Sequence, residues 1–545
     1  MPPAVTLFHV DDDHTGDGDH LTTSRHTDRA PSTDEHRPSS PRRSASSGTL
    51  RERSRPSLAV DHSADFYDPA STDHAPSLPI MPASTALGSF FNMTNAIVGA
   101  GIIGLPFAFK EAGLFAGILL LLLLAYITDW TLRLLAYATK LSGRHTYQEL
   151  VCFCFGLPGF HAISVFQFIF AFGGMCAFNV IIGDTVPHVI RSVFPAVLAS
   201  PVLSTLTSRQ AVITIITLGV SFPLSLYRDM SKLAKTSALA LVAMMIIVIS
   251  VLVEAPKAPD GDRGTGVGKW DFVKPDIFQA IGVISFAFVC HHNSFMIYSA
   301  LQMPTLNRYG RIIHVSTALS ALVCLLLASV GYLNFTDKTR GNILNNFPDD
   351  NLFINIARFC FGFNMITTFP MELLVAREVV DGYVGLYSRP HHAPVVTRTT
   401  AYIPLESVAD LHDALDDEAT PDPTNPSHEP SAKRVGYDVS LADVPFSLRR
   451  HLIVTTAMVL TTLTVALNVC DLGIVIELTG GISATALAFI LPAACYLKLV
   501  SGPIFHPSKW GLWVLLAFGV CVLVFSPTLA VYRFLHQDPS ERHTC

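Results

Sequence analysis

The stretch Asn92–Phe109, NMTNAIVGAGIIGLPFAF, decides how the rest of the chain is read. It is apolar enough to enter a lipid bilayer, yet Asn92, Thr94 and Asn95 precede Gly99, Gly101, Gly104 and Pro106 within it. A helix in lipid must satisfy its own backbone hydrogen bonds, and glycine and proline loosen that ladder. The glycines admit two readings. Small residues at near-helical spacing can form a close packing face for a neighbouring helix. Alternatively they mark a break, where free N–H groups and the positive end of a half-helix dipole meet a small anion. The three polar side chains just before the glycines favour the break, because packing alone does not require them.

Around this stretch the chain repeats apolar runs of membrane-crossing length. Half of its 545 residues are hydrophobic and 15% are charged, with a mean hydropathy of +0.42. The runs lie at about 84–109, 113–137, 159–190, 209–227, 232–254, 275–302, 311–335, 351–376, 450–470, 472–500 and 510–534. They predict an all-α polytopic membrane protein of eleven spans. Residues 1–83, rich in Ser, Asp, His, Arg and Pro, are expected to form a disordered cytoplasmic tail. Residues 84–380 then carry spans one to eight, 381–449 a disordered acidic cytoplasmic loop, 450–535 spans nine to eleven, and 536–545 a short C-terminal tail. Basic residues beside the membrane mark the cytoplasmic side. Lys140 and Arg144, Arg228 with Lys232 and Lys235, Arg308 and Arg311, and Lys498 and Lys509 all fall on the side of the N-terminus. The net charge of −6 resides mostly in the polar segments and points to no nucleic acid partner. No loop offers an evident disulfide pair.

The sixth span, SFAFVCHHNSFMIYSAL (Ser285–Leu301), holds His291, His292 and Asn293 in the middle of an aromatic helix. Ionisable groups at that depth are costly and usually functional. Adjacent histidines on a helix point in different directions and no third ligand has a recognisable spacing, so a metal site is not expected. His291 is the candidate for the substrate pathway, against a simpler role as hydrogen-bond partner of a neighbouring helix. Asp184 is expected near the interface in a solvated or ion-paired role, with proton carriage as the alternative. Glu372 is expected to pair with Arg377 or cap a helix, with proton carriage as the alternative. The Arg42–Arg43 pair ahead of Ser44 and Ser46 allows a kinase, or an adaptor, at the N-terminal tail.

Three motifs in order, FFNMTNAIVGAGIIGLPFAFKEAG (90–113), FAFVCHHNSFMIYSAL (286–301) and TTFPMELLVAREV (367–379), resemble the amino acid/auxin permease superfamily. Within it the resemblance is to the sodium-coupled neutral amino acid transporter family and the related fungal vacuolar amino acid transporters. It covers about residues 84–535 apart from the 381–449 insertion. The resemblance implies ten spans in two inverted five-helix repeats plus one, in a LeuT-like fold with spans one and six broken around the substrate. It implies further that Gly99, Ala100, Gly101, Ile102 and Gly104 hold the backbone groups of an amino acid, and that Phe286, Val289, His291 and Asn293 shape its side-chain pocket. Asn95 falls on the position of a cation ligand, and Thr367 and Thr368 on the hydroxyls that complete that site. The alternative for both threonines is a bond back to their own helix. Where many members place a proline after the first histidine, this chain has His292.

The expected function is therefore secondary active transport of a neutral amino acid by alternating access, as symport or antiport. No cofactor is expected beyond Na+ or H+ as coupling ion. A membrane amino acid sensor with little or no transport shares the same pocket and is the alternative. An enzyme is not expected, since no nucleophile, metal set or cofactor motif accompanies the histidines, and no phosphate-binding glycine loop suggests a pump. The expected location is a vacuolar or lysosome-like membrane, with the plasma membrane as alternative and the N-terminus in the cytoplasm.

Overall fold

The computed structural model describes residues 84–195, 200–227, 237–302, 305–387, 396–401, 434–439, 447–500, 503 and 505–536. The tail 1–83, the potential kinase site within it, most of 381–449 and the chain beyond His536 lie outside the described residues.

The first apolar run folds as α1 (Ala86–Ile97), a 3-10 turn (Ala100–Gly104) and α2 (Leu105–Ala112). Thr85 starts α1 as a side-chain cap that accepts from Gly88 N at 3.1 Å. Gly113, at φ +89°, turns the chain into α3 (Leu114–Ser142). Next comes α4 (Tyr147–Val193), opened by a Thr146/Glu149 capping box and bent at Gly156, where φ is +66°. That bend separates a short entry turn from the long helix, which agrees with a span placed from 159. Beyond it lie α5 (Pro201–Leu206), α6 (Arg209–Ile216), α7 (Phe222–Ser225) and α8 (Ser237–Glu254). The sixth run divides into α9 (Ile277–Phe288) and α10 (His291–Ala300), followed by α11 (Leu306–Phe335) and α12 (Leu352–Tyr387). The chain ends in α13 (Leu448–Asn468), α14 (Leu472–Thr479), α15 (Leu491–Leu499) and α16 (Trp510–His536).

Among the described residues, ten helical stretches are long and apolar enough to cross a membrane, and Arg209–Ser225 is a shorter apolar one. Along α3, Leu119, Leu122, Leu123 and Tyr126 are exposed while Leu120, Leu121 and Leu124 are buried. An exposed apolar stripe of that kind is a lipid-facing surface. The most extensive helix pair is α4 with α12. They run antiparallel, since Gly362 lies against Thr185 near one end and Gly382 against Phe160 near the other.

Contacts between helix ends fix which ends share a side. Arg533 at the end of α16 pairs with Glu111 at the end of α2 and, at 2.8 Å, with Asp276 before α9. Beside them Ala116 N donates to Phe272 O at 3.0 Å and Lys274 N to Ala112 O at 2.9 Å. At the opposite end of the broken helices, Ser84 N donates to Ala300 O at 2.6 Å and Gln302 N to Ser84 O at 3.0 Å.

Two expectations change. The 381–449 segment contains an antiparallel sheet of β1 (Val396–Ala401) and β2 (Arg434–Val439), with Val396 opposite Val439 and Ala401 opposite Arg434. The threonines, valines and tyrosine of VTRTTA and RVGYDV suit a strand, against the acidic composition between them. Cys470, after α13, is disulfide-bonded, a pairing its position beside an apolar run does not advertise.

Candidate functional site

Both broken helices part near the middle of their runs. After Ile97 the backbone leaves the helix at Val98 (ψ 58°) and Gly99 (φ −102°, ψ −146°) before the 3-10 turn. After Phe288 it extends at Val289 (φ −78°, ψ 111°) and turns at Cys290 (φ −129°, ψ 10°). The two breaks meet: a Cβ built on Gly101 would lie 2.6 Å from Ala287 Cα. Ala100, Gly101, Ile102, Gly104, Phe286 and Val289 are all buried.

The two roles open to the glycines divide between them. Gly101 is wedged against the α9 backbone and has no room for a side chain. Gly99 is different, because a Cβ there would meet only its own chain, Asn95 O at 3.6 Å and Ala96 O at 3.8 Å. Gly104 would touch Ile476 and Val283 at 3.4 Å, which is ordinary contact. Close packing therefore belongs to Gly101 and open backbone to Gly99. Thr94 Oγ1 and Asn95 Oδ1, on the last turns of α1, are buried oxygens without a hydrogen-bond partner. Such oxygens fit a cation or an ammonium group that would complete them.

Thr367 and Thr368 bond back to their own helix ahead of Pro370. Thr367 Oγ1 donates to Asn364 O at 2.9 Å and Thr368 Oγ1 to the same carbonyl at 2.8 Å. Their lone pairs remain free to face a cation. No hydrogen bond joins Asn95 to either threonine among the described residues.

The adjacent histidines face different helices, as a 100° step on a helix requires. His291 is fully buried and lies 2.8 Å from Thr131 Oγ1 on α3. Thr131 Oγ1 also lies 2.8 Å from Ile127 O, so the hydroxyl joins His291 Nε2 to its own helix, the imidazole donating in one tautomer and accepting in the other. His292 faces the other way. Its ring centroid sits 4.9 Å from that of Phe170 on α4, and its Nε2 lies 4.0 Å from Glu372 Oε1 on α12. Phe170 also contacts Phe286 at 5.6 Å between centroids. The central side chains thus come from α4, α9, α10 and α12. Asn293 is half-buried in the first turn of α10, where its N–H closes onto Cys290 O at 3.0 Å.

Two other buried charges are held by structural partners. Asp184 accepts from Arg209 at 3.3 Å, Asn345 at 3.0 Å and Asn342 at 3.4 Å, the ion-paired role expected for it. Arg377 does not hold Glu372, but donates to Ser225 O at 2.9 Å and Thr455 Oγ1 at 3.3 Å and lies against His451. His292, Phe170 and Thr131 are absent from the site read in the sequence. Thr131 gave no local signal, because only tertiary packing brings it to His291. Glu477 was also missed, though a lone carboxylate in LGIVIELT (Leu472–Thr479) could have flagged it. It is buried with Oε1 unpartnered.

A bundle of membrane-length helices, two of them discontinuous and joined at their breaks, belongs to the class of multi-pass membrane transport proteins. Within that class, the family profile described as transmembrane amino acid transporter protein matches residues 82–534. The chain belongs to this transporter family, which is one of carriers rather than enzymes. It is 34% identical over 444 residues to vacuolar amino acid transporter 2 of Saccharomyces cerevisiae, covering 81% of this chain and 82% of that protein. A Bos taurus protein provisionally named sodium-coupled neutral amino acid transporter 11 is 35% identical over 448 residues, with 81% and 82% covered. Sodium-coupled neutral amino acid transporter 7 of Xenopus laevis is 26% identical over 478 residues, with 86% and 94% covered.

Proposed function

We propose that this protein moves a neutral amino acid across a vacuolar or lysosome-like membrane by alternating access, driven by a proton or sodium gradient. The observation that carries this reading is the meeting of two helix breaks, with open backbone at Gly99 and orphaned oxygens at Thr94 and Asn95. Irregular backbone at membrane depth persists only where protein or a cavity satisfies it, and paired half-helices are how carriers hold small zwitterions. Neutral substrates are supported by the names of the sodium-coupled relatives, and the vacuolar membrane by the name of the yeast relative.

The paired helix ends support a count of crossings. Arg533 and Lys274 bring the end of α2 and the start of α9 to one side. Between them lie the long helices 114–142, 147–193 and 238–257. Three crossings would leave the two ends on opposite faces, which supports reading the short apolar helix Arg209–Ser225 as a fourth. Its inclusion supports eleven crossings in the arrangement of two five-helix repeats plus one. The basic loops support a cytoplasmic N-terminus, and on that reading Cys470 lies on the other side, where disulfides persist.

The test is uptake of labelled neutral amino acids into liposomes holding the purified protein, with sodium and pH gradients imposed separately. Gradient-dependent accumulation is expected. Saturable binding without flux under either gradient would replace the carrier with a sensor.

A further inference from the structure

We propose that His292 and Glu372 form a proton-binding pair that bridges the mobile half-helix α10 to α12, so that the amino acid moves together with a proton. The proposal rests on the transporter reading and assigns its coupling site.

The pair stands out from the other buried charges. Its facing atoms, His292 Nε2 and Glu372 Oε1, lie 4.0 Å apart, within reach of a shared charge but beyond a hydrogen bond. Among the described residues, Glu372 Oε2 and both ring nitrogens of His292 have no hydrogen-bond partner. The two side chains are 14% and 4% exposed, so the carboxylate keeps a narrow access to solvent while the imidazole is enclosed. The walls are apolar, with the Phe170 ring on His292 and Gly174 3.9 Å from the Glu372 side chain when given a Cβ.

Among the described residues, no other charge on the packed elements pairs with this carboxylate. On α12 itself, Arg358 donates to Leu344 O and Phe347 O, and Arg377 is held by Ser225 O and Thr455. From α4, Asp184 is held by Arg209, and from α8, Glu254 by Lys257. From α13, His451 lies on Arg377, and on α10 His291 is taken by Thr131. α1 and α7, packed on α10 and α12 respectively, carry no ionisable side chain.

The proton count then decides the state of the pair. With no proton bound, Glu372 carries one negative charge that no described residue balances, which a low-dielectric interior strongly disfavours. One proton, on Glu372 or on His292 Nε2, brings the pair to net zero as a neutral acid and imidazole or as an ion pair. The half-helices can then rearrange without dragging a bare charge through the bundle. α10 is the half-helix beside the break and α12 lies on the α4 side, so the pair spans elements whose relative position alternating access must change.

The test uses full-length protein in liposomes with a pH-sensitive dye inside and labelled neutral amino acids outside. For the wild type, amino acid entry is expected to carry protons, and an imposed pH gradient to drive accumulation in a sodium-free buffer. Glu372→Gln mimics the protonated acid and is expected to lose both proton movement and gradient-driven accumulation. His292→Gln, which keeps a donor but cannot take a charge, is expected to shift the pH dependence and lower the proton-to-substrate ratio. If Glu372→Gln does not fold, His292→Gln and Glu372→Asp decide from the same two readouts. Wild-type transport driven by sodium without proton movement, or proton coupling undiminished in the folded variants, overturns the pair. Wild-type liposomes with no flux under any gradient would instead overturn the transporter reading on which the pair rests.

Discussion

In the first apolar helix the chain abandons helical geometry at Val98 and Gly99 and resumes it at Leu105, after three glycines and just ahead of Pro106. In the sixth it does so at Val289 and Cys290, with neither glycine nor proline at the break. The first break is written into local conformational preference, since glycine costs little outside the helix and proline starts the next one cleanly. The second is imposed by its surroundings. Val289 is β-branched and accepts an extended backbone, but what turns the chain there is that His291 must reach Thr131 while His292 faces α4 and α12. A break encoded locally should survive loss of its distant partners, and a break imposed by partners should not.

The largest expected effect separates two glycines of the first break. Gly101→Val places a side chain where Ala287 backbone stands at 2.6 Å, so the folded protein should be lost from the membrane almost entirely. Gly99→Val has no neighbour to strike and should yield normally folded protein with impaired uptake. Fluorescence-detected gel filtration and liposome uptake check the pair together. Equal yields for the two variants would show that the breaks do not press on each other as described.

Next in size is the anchor of the second break. Thr131→Val removes the hydrogen-bond partner of a fully buried imidazole, which should cost about 1–3 kcal/mol of stability. Thermal unfolding should register that loss, while the pH dependence of transport stays as in the wild type if the contact of His291 with α3 is structural. A changed pH profile with unchanged stability would move His291 into the substrate pathway.

These two variants also show what the sequence discloses and what it hides. The membrane class, the break after Asn95 and the polar character of the sixth helix all follow from residue types within one run. Which histidine faces the interior does not, because neighbouring positions on a helix differ only in direction and direction is set by partners hundreds of residues away. The same limit explains Arg377. It is near Glu372 in sequence, yet donates to Ser225 O. The same limit applies to the strands of the 381–449 segment, where two six-residue stretches pair across residues of a different composition.

A smaller effect is expected at the polar end of α1. Asn95→Ala removes a buried oxygen that has no protein partner, so the fold should be indifferent to it. If that oxygen belongs to a sodium shell, the sodium concentration for half-maximal transport should rise about tenfold, equivalent to ~1.4 kcal/mol. Thr368→Val should act in the same direction, since Thr368 keeps lone pairs free after donating to Asn364 O. Transport that ignores sodium in the wild type removes the shell from the mechanism and leaves both residues as part of the joint near the break.

The smallest effect tests how the two broken helices are tied at their far ends. Arg533 is 40% exposed and bridges Glu111, which is buried, to Asp276, which is about as exposed as the arginine itself. Solvent screens most of such a pair, so Arg533→Ala should cost no more than about 1 kcal/mol and less at high salt. Its geometric consequence is sharper than its energy. Because Arg533, Glu111 and Asp276 meet, thiols introduced by Arg533→Cys and Asp276→Cys must react with a membrane-impermeant reagent from the same side, and a thiol at Ser84→Cys from the other. Labelling of Arg533→Cys and Ser84→Cys from one common side would deny the fourth crossing by Arg209–Ser225, and with it the arrangement that brings the glycine-encoded break and the partner-imposed break together.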